Sequence, residues 1–325
     1  MTKVITRLRV SAAVALCAVL CACGGDGSPD APDATDRLRV FVSVLPQAYI
    51  VERVGGDLVE VNALVQPWQS AETYEVTPRQ MDALSRAQLY FRAGMPFENA
   101  LLRKIASTCP QLRVVDTREG VALLADTGCA HGDDHADHAD HDDHDDHASH
   151  ADHNHGHMHG DWDPHIWMDP KRVKTQAATV AAALSEAFPE ARATFAANLA
   201  ALERDLDAAH ERIAALLSPF HGRRIYVYHP AYAYFADAFG LEQVSVEFEG
   251  KEPGPRRVQQ IVDGMKAEGA RVIFVQPQFS RQMVESVAQQ TGAAIVELDP
   301  LSKDLIATMD RIAKEIVRSL GDARQ

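Results

Sequence analysis

Hydrophobic positions along this chain fall into short β-rich runs that alternate with helical stretches. Residues 38–45 (LRVFVSVL) form the first such run, and a helical pattern over residues 47–54 follows, stopping at the Gly55-Gly56 pair. A second strand is expected over 59–65, then a helix over 78–87 with Thr77 as N-cap and Pro78 at its first position. A strand over 88–91, a helix over 97–106 and a strand over 112–115 complete the first set. The second half repeats the idea, with strands over 224–228, 243–248, 271–275 and 294–298. Its helices fall near 232–239, 255–267, 281–291 and 305–320. Alternation of this kind calls for parallel sheets covered by helices on both faces.

The expected class is therefore α/β, with two doubly wound (βα) lobes over residues 38–188 and 218–325. Between them runs a helical stretch over 171–217, broken at Phe188-Pro189. Its second piece, residues 190–217 within a connecting segment 189–217, is Ala-rich and holds no Gly or Pro. At 1.5 Å per residue it spans about 42 Å, more than one small lobe needs. It reads as a rigid rod joining the lobes.

The 325 residues leave room for two cores, and 46% apolar with 24% charged residues excludes wholesale disorder and a multi-span membrane protein. A net charge of −14 argues against a nucleic-acid partner. Lys3, Arg7 and Arg9 precede an apolar stretch over 10–20, the pattern of a secretion signal over residues 1–22. That stretch runs into Leu20-Cys21-Ala22-Cys23-Gly24, which resembles a bacterial lipobox with Cys23 as the lipidated residue. Removal of the signal leaves a net charge of −17, and residues 24–37, rich in Gly, Pro and Asp, form a flexible tether behind Cys23. The expectation is an extracytoplasmic protein, in the periplasm or at the cell surface, lipid-anchored to a membrane and monomeric. In that oxidising setting Cys109 and Cys129 either pair, closing a loop of about 20 residues, or remain thiols.

Ligands of doubly wound sheets bind outside the carboxyl ends of the strands. Four candidates fall at such places. Glu72 follows the second strand, His165 precedes the helical stretch, His229 follows the strand over 224–228, and Asp299 follows the strand over 294–298. Two come from each half, so they can converge between the lobes. Two imidazoles and two carboxylates make a first shell for Zn²⁺ or Mn²⁺. A lone histidine after a strand is otherwise a hydrogen-bonded loop residue, and an Asp before Pro300 also caps turns. His210 and His221 show no metal spacing and are expected at the surface, while Trp167, Tyr228 and Tyr232 read as core or cleft walls.

The segments DPHIWMDP (163–170), YHPAYAYFADAFGL (228–241), EFEGKEPGPRRV (247–258), FVQPQFS (274–280) and VELDPLS (296–302) resemble the zinc/manganese cluster (A-I) of ABC-transporter solute-binding proteins, nearest the zinc type (ZnuA-like). The resemblance extends from Leu38 to the C-terminus. It implies two βα lobes joined by one rigid helix, a metal held between them, and delivery of that metal to an ABC permease in the membrane. It carries over His165, His229 and Asp299 as ligands, and it makes the loop over 249–253 a signature near the cleft. At one position the chain departs: Ala71-Glu72 stands where the family usually has Pro-His. Glu72 then ligates through oxygen, or water or another His completes the site, or tight binding has been lost. The first reading is favoured because a carboxylate oxygen is an accepted Zn²⁺ ligand, although oxygen donors also move preference toward Mn²⁺.

Residues 131–160 hold 11 of the 15 histidines and 9 acids, with no Lys or Arg. Such a tract cannot build a core and is expected to be disordered without metal. Its histidines (His131, His135, His138, His141, His144, His147, His150, His153, His155, His157 and His159) offer weak secondary metal sites that collect Zn²⁺ beside the cleft. An enzyme is the main competing class, with Glu72 as the base of a zinc hydrolase, yet the chain has no His-Glu-x-x-His, no Gly-x-Ser-x-Gly and no P-loop. No catalytic residue is assigned. A lipoprotein metal buffer or adhesin, uncoupled from transport, is the third class.

Overall fold

A computed structural model of the chain describes residues 37–126, 162–247, 254–279 and 281–321. The signal segment, Cys23, the tether, Cys129, the His/Asp tract and the 249–253 loop lie outside the described residues. The first sheet contains β1 (Leu38–Val42), β2 (Val59–Ala63), β3 (Leu89–Arg92) and β4 (Arg113–Asp116), all parallel, in the order β2-β1-β3-β4. Helices α1 (Leu45–Gly55), α2 (Pro78–Leu84) and α3 (Glu98–Thr108) connect them. The second sheet repeats this order as β6-β5-β7-β8, with β5 (Arg224–Val227), β6 (Glu242–Ser245), β7 (Val272–Val275) and β8 (Ala294–Glu297). Its helices are α6 (Ala233–Phe239), α7 (Pro255–Glu268), α8 (Arg281–Thr291) and α9 (Leu305–Gly321). The architecture is two doubly wound parallel sheets, as the alternation predicts.

Element edges differ from the sequence reading where the local pattern is ambiguous. The apolar run over 38–45 fuses a strand with a helix start: β1 ends at Val42, and Leu45 with Pro46 already opens α1 behind the extended Val44. At α2 the expected cap is present, with Thr77 Oγ1 accepting from the Gln80 amide at 3.3 Å and Gln80 Oε1 accepting from the Thr77 amide at 3.1 Å. That helix stops at Leu84, because the Arg86 and Ala87 amides turn to i→i−3 bonds, with the Ala83 and Leu84 carbonyls, that lead toward β3.

Joining the two sheets are α4 (Pro170–Ala187) and α5 (Arg192–Leu217), separated by a 3₁₀ turn at Pro189–Ala191. Asp169 caps α4, its Oδ1 accepting from the Lys171 amide at 2.8 Å. The 26 residues of α5 bury Phe195, Leu202, Leu206, Ala209, Ile213 and Leu217, one stripe at helical spacing. This stripe packs on α4, α1 and α9. His210, beside it, is half-buried and stacks on Phe239 with ring centroids 5.3 Å apart, so its expected surface position is corrected. His221 is exposed, and Trp167, Tyr228 and Tyr232 are core.

The core crosses from one sheet to the other. A single apolar cluster runs from Val40, Phe91 and Ile50 through Trp167 and α5 to Val227, Phe235 and the buried face of α9. A smaller cluster around Tyr228, Val262, Met265 and Val287 fills the other face of the second sheet beneath α7 and α8. Trp167, fully buried, donates from Nε1 to the Pro300 carbonyl at 2.9 Å and so ties the turn before α4 to the end of the second sheet. Because one core serves both sheets, Leu206→Ala is expected to cost about 3 kcal/mol. Urea unfolding followed by fluorescence and circular dichroism should show both halves lost in one shifted transition; two separated transitions would contradict a shared core.

Candidate metal centre

In both sheets the crossover direction reverses between the two central strands, which opens a crevice at their carboxyl ends. Each strand end of the second sheet presents a polar residue there. His229 follows β5 by two residues, Glu247 follows β6 by two, Gln276 directly follows β7, and Asp299 follows β8 by two. From the first half, Glu72 sits on the loop after β2, and His165 sits in the turn that precedes α4.

Each of these side chains is held by its own local structure. Asp163 Oδ1 accepts from the His165 amide at 2.8 Å and lies 2.9 Å from His165 Nδ1. Behind it Ile166, Trp167 and Met168 are fully buried, which fixes the turn. On the other side His229 Nδ1 is 3.1 Å from Glu247 Oε2. Gln276, also buried, clamps the His229 peptide from both ends, accepting from its amide at 3.4 Å and donating to its carbonyl at 3.0 Å. Phe279 stacks on the His229 ring at 5.2 Å. The Glu72 loop is pinned through Tyr74, whose hydroxyl donates to the Leu64 carbonyl at 2.7 Å. Buried Glu98 accepts from the Ala93 and Gly94 amides at 2.7 and 2.9 Å and from Ser43 Oγ at 2.6 Å, shaping the 93–96 wall of the cleft.

With Nδ1 of each imidazole committed to a carboxylate, Nε2 of each faces the same oxygen. His165 Nε2 is 3.8 Å and His229 Nε2 is 3.6 Å from Glu72 Oε1, and one donor atom from each residue lies within 4.8 Å of the other two. The rings stand 5.5 Å apart at 76°. Tetrahedral Zn²⁺ with bonds near 2.0–2.1 Å needs donors about 3.4 Å apart, so the edges to Glu72 need to shorten by only a few tenths. A carboxylate at Nδ1 of each imidazole orients the ring and leaves Nε2 as the donor toward the cleft. The group opens into a cleft walled by Gly94, Pro96, Asp126, Trp162 and Pro230.

The structure thus brings together three of the four predicted residues. Asp299 stands at the predicted strand end but outside the cluster, its Oδ1 accepting from Gln278 Nε2 at 3.1 Å and from the Leu301 amide at 3.0 Å. Cys109 is buried beside α3, and Cys129 lies outside the described residues. Sequence reasoning missed Asp163, Glu247, Gln276 and Glu98 as supporting groups. The first three lie within or beside the segments that carry the resemblance, one or two residues from a candidate or a strand end; that proximity was the one signal pointing to them. Nothing local marks Glu98.

Electrostatics favour a cation here. Burial alone would depress the His229 imidazole, but its hydrogen bonds to Glu247 and Glu72, with their charges, outweigh burial and push its pKa up to about 10. In the metal-free protein a proton therefore occupies His229 at neutral pH. This charged pairing stabilises the metal-free fold fully below the ordinary histidine pKa near 6.5, and the contribution is lost as pH rises through about 10.

Two parallel-sheet lobes on a shared helical spine, with imidazoles and a carboxylate meeting between them, define a cleft-type metal-binding protein. The sequence model of the zinc-uptake complex component A, periplasmic (ZnuA), matches residues 40–319. A high-affinity zinc uptake system protein ZnuA from Brucella abortus is 34% identical over 307 residues, covering 89% of this chain and 91% of that one. The protein of the same description from Haemophilus ducreyi is 32% identical over 266 residues, covering 81% and 84%. A ZnuA crystal structure superposes with a TM-score of 0.75 at 32% identity, over 87% of this chain and 99% of that one, and a zinc-bound ZnuA deletion mutant gives the same score and identity. The chain belongs to the periplasmic zinc-uptake component A (ZnuA) family.

Metal entry must displace the His229 proton, so binding and proton release are linked. Calorimetric titration with Zn²⁺ at pH 7.5, repeated in buffers of different ionisation heat, should give about one proton released per ion, with apparent affinity rising up to about ten-fold per pH unit toward pH 10. A heat independent of buffer would contradict a protonated His229.

Proposed function

We propose that this protein captures Zn²⁺ outside the cytoplasm and hands it to an ABC permease for uptake, without chemical transformation of the ion. The observation that carries this reading is the convergence of His165 Nε2 and His229 Nε2 on Glu72 Oε1, one donor from each of three separate segments. Membership of the ZnuA family supports the same assignment. Three protein donors leave one tetrahedral position for water, which suits an ion that must be released again. Glu72 replaces the nitrogen donor usual in the family with an oxygen, which favours Mn²⁺ as the second cargo to be considered, while two imidazoles and the intrinsic order of affinities keep Zn²⁺ first.

Around this site we assign the remaining parts as follows. Residues 1–22 direct export, Cys23 carries the lipid, and 24–37 tether a monomer to the membrane. The His/Asp tract lies between Asp126 and Trp162, which both line the cleft, so metal gathered by its histidines is concentrated at the mouth of the tight site. The spine of α4 and α5, sharing its core with both sheets, limits capture to small lobe tilts and loop adjustments.

A competition titration against a chelator, on protein lacking the signal and residues 131–160, tests the reading. One tight Zn²⁺ equivalent is expected, weakened at least about ten-fold by Glu72→Ala. Tight binding that vanished with the tract would place the functional metal site in the histidine run instead.

A further inference from the structure

The loop that carries Glu72 begins with a turn that its own sequence disfavours. The Gln69 amide donates to the Gln66 carbonyl at 3.2 Å, closing a β-turn with Pro67 and Trp68 at its centre. Trp68 has a φ of 70°, the one positive φ outside glycine among the described residues. Proline holds its own φ near about −65°, so the turn is of type II, whose third position ordinarily takes Gly or Asn. A bulky residue there is strained and persists only where the surroundings enforce it. The bracing is visible here. Gln69 Oε1 accepts from the Gln66 amide at 2.9 Å, Gln66 Nε2 donates to the Ala63 carbonyl at 2.6 Å, and Leu64, Val65 and Ala71 are buried on either side. The strain does not serve packing, because Trp68 is 71% exposed, more than any other large apolar side chain among the described residues. The next most exposed, Trp162, walls the cleft that Glu72 lines. A single exposed apolar residue is ordinary, but one held out by a strained backbone combines two unfavourable terms with little packing in return. Between Glu60 and Glu72 the chain carries no charged residue, although it is strongly acidic as a whole. An exposed indole on an uncharged turn has the composition of an interface hot spot, where tryptophan is enriched and charge is depleted.

We propose that Trp68 is the anchor by which the protein docks on the extracytoplasmic face of the permease that receives its ion, the indole entering an uncharged apolar pocket there. The proposal rests on the carrier reading and adds the surface through which delivery takes place. Position selects this partner. Trp68 lies four residues before Glu72, hence within about 14 Å of it along the chain, and Trp162 stands on the cleft wall. A partner that grips these side chains sits where the ion leaves. Size selects it as well. One indole buries roughly 150–250 Å², far below the roughly 1,200 Å² of a stable dimer, which suits a partner that separates after each delivery. A lipid surface fits less well, since anionic headgroups repel a chain with a net charge of −14.

The test uses Trp68→Gly, which removes the indole and suits the positive φ, with Trp68→Asn as the second variant because Asn also tolerates this region. Each is placed at the native locus, beside the parent and a gene deletion, and initial uptake of radioactive zinc into intact cells is measured under chelator limitation at equal protein abundance. The permease of the cell is then the probe. The purified variants should bind Zn²⁺ as tightly as the parent and unfold in urea at no lower midpoint, while uptake falls by about ten-fold toward the deletion level. Uptake equal to the parent's, where deletion abolishes it, overturns the docking role and leaves the carrier reading standing. Weaker Zn²⁺ binding or a lower unfolding midpoint also overturns it, because Trp68 then serves the cleft or the fold. The same holds if substitution changes self-association, or flotation with vesicles of phosphatidylglycerol and phosphatidylethanolamine, because the indole then engages a second copy or lipid. Uptake that gene deletion leaves unchanged overturns the carrier reading itself, and this one with it.

Discussion

Everything in this structure depends on the apolar core that the two sheets share across α4, α5 and α9. Phe195, Leu202, Leu206 and Ile213 on α5 pack in one cluster with β1 and β3 on one side and with Val227, Met309 and Ile316 on the other. Neither half can turn far relative to the other without opening contacts that are closely packed and cost several kcal/mol to lose. Trp167 reinforces this, since its indole fills the junction while its N–H satisfies the Pro300 carbonyl. The distance between the strand ends is therefore set by the core, and the donors from the two halves arrive at their separation before any ion does.

On that rigid base the electrostatics of the cleft become intelligible. Two imidazoles are enclosed by Asp163, Glu247 and Glu72. With His229 protonated, these five groups still carry an excess of negative charge. Such a site is incomplete as a protein interior, where unbalanced carboxylates are costly, and becomes balanced when a divalent cation enters. The proton on His229 is a partial substitute for that cation. The carboxylates behind the rings act in two ways, since from Nδ1 they orient the imidazoles, and through their charge they raise the affinity of Nε2 for metal.

The strand–helix alternation and the parallel sheets could be read from hydrophobic spacing, because short buried strands leave periodic traces, and the long helix from an Ala-rich run without Gly or Pro. That His165, His229 and Glu72 come together is a result of packing, but each could be picked out as a candidate, His229 and Glu72 from loops that follow strands and His165 from the segment before α4. Several features escaped, beside the supporting groups named above. The β1–α1 boundary blurred because both elements are apolar there. His210 was misplaced because its ring reaches Phe239 on a helix distant in sequence. Asp299 stands at the strand end that its sequence position predicts, whereas its separation from the other three groups and the hydrogen bond it accepts from Gln278 are properties of packing.

The three donors are not equally constrained, and that asymmetry bears on how an ion leaves a site that the core forbids to open widely. His165 is 7% exposed and bonded to Asp163, and His229 is 12% exposed, with Glu247 at Nδ1, Gln276 on its peptide and Phe279 against its face. Glu72 is 25% exposed and stands on a connection outside both sheets, anchored through Tyr74 two residues away. Displacing either imidazole requires breaking a buried carboxylate pair at its Nδ1, whereas moving Glu72 requires giving up its contacts with the two imidazoles and rearranging its loop. Glutamate at this position places a negative charge on the most exposed of the three groups. On the carrier reading proposed above, release begins by withdrawing this one carboxylate, which removes charge and a ligand together while the two imidazoles stay in place.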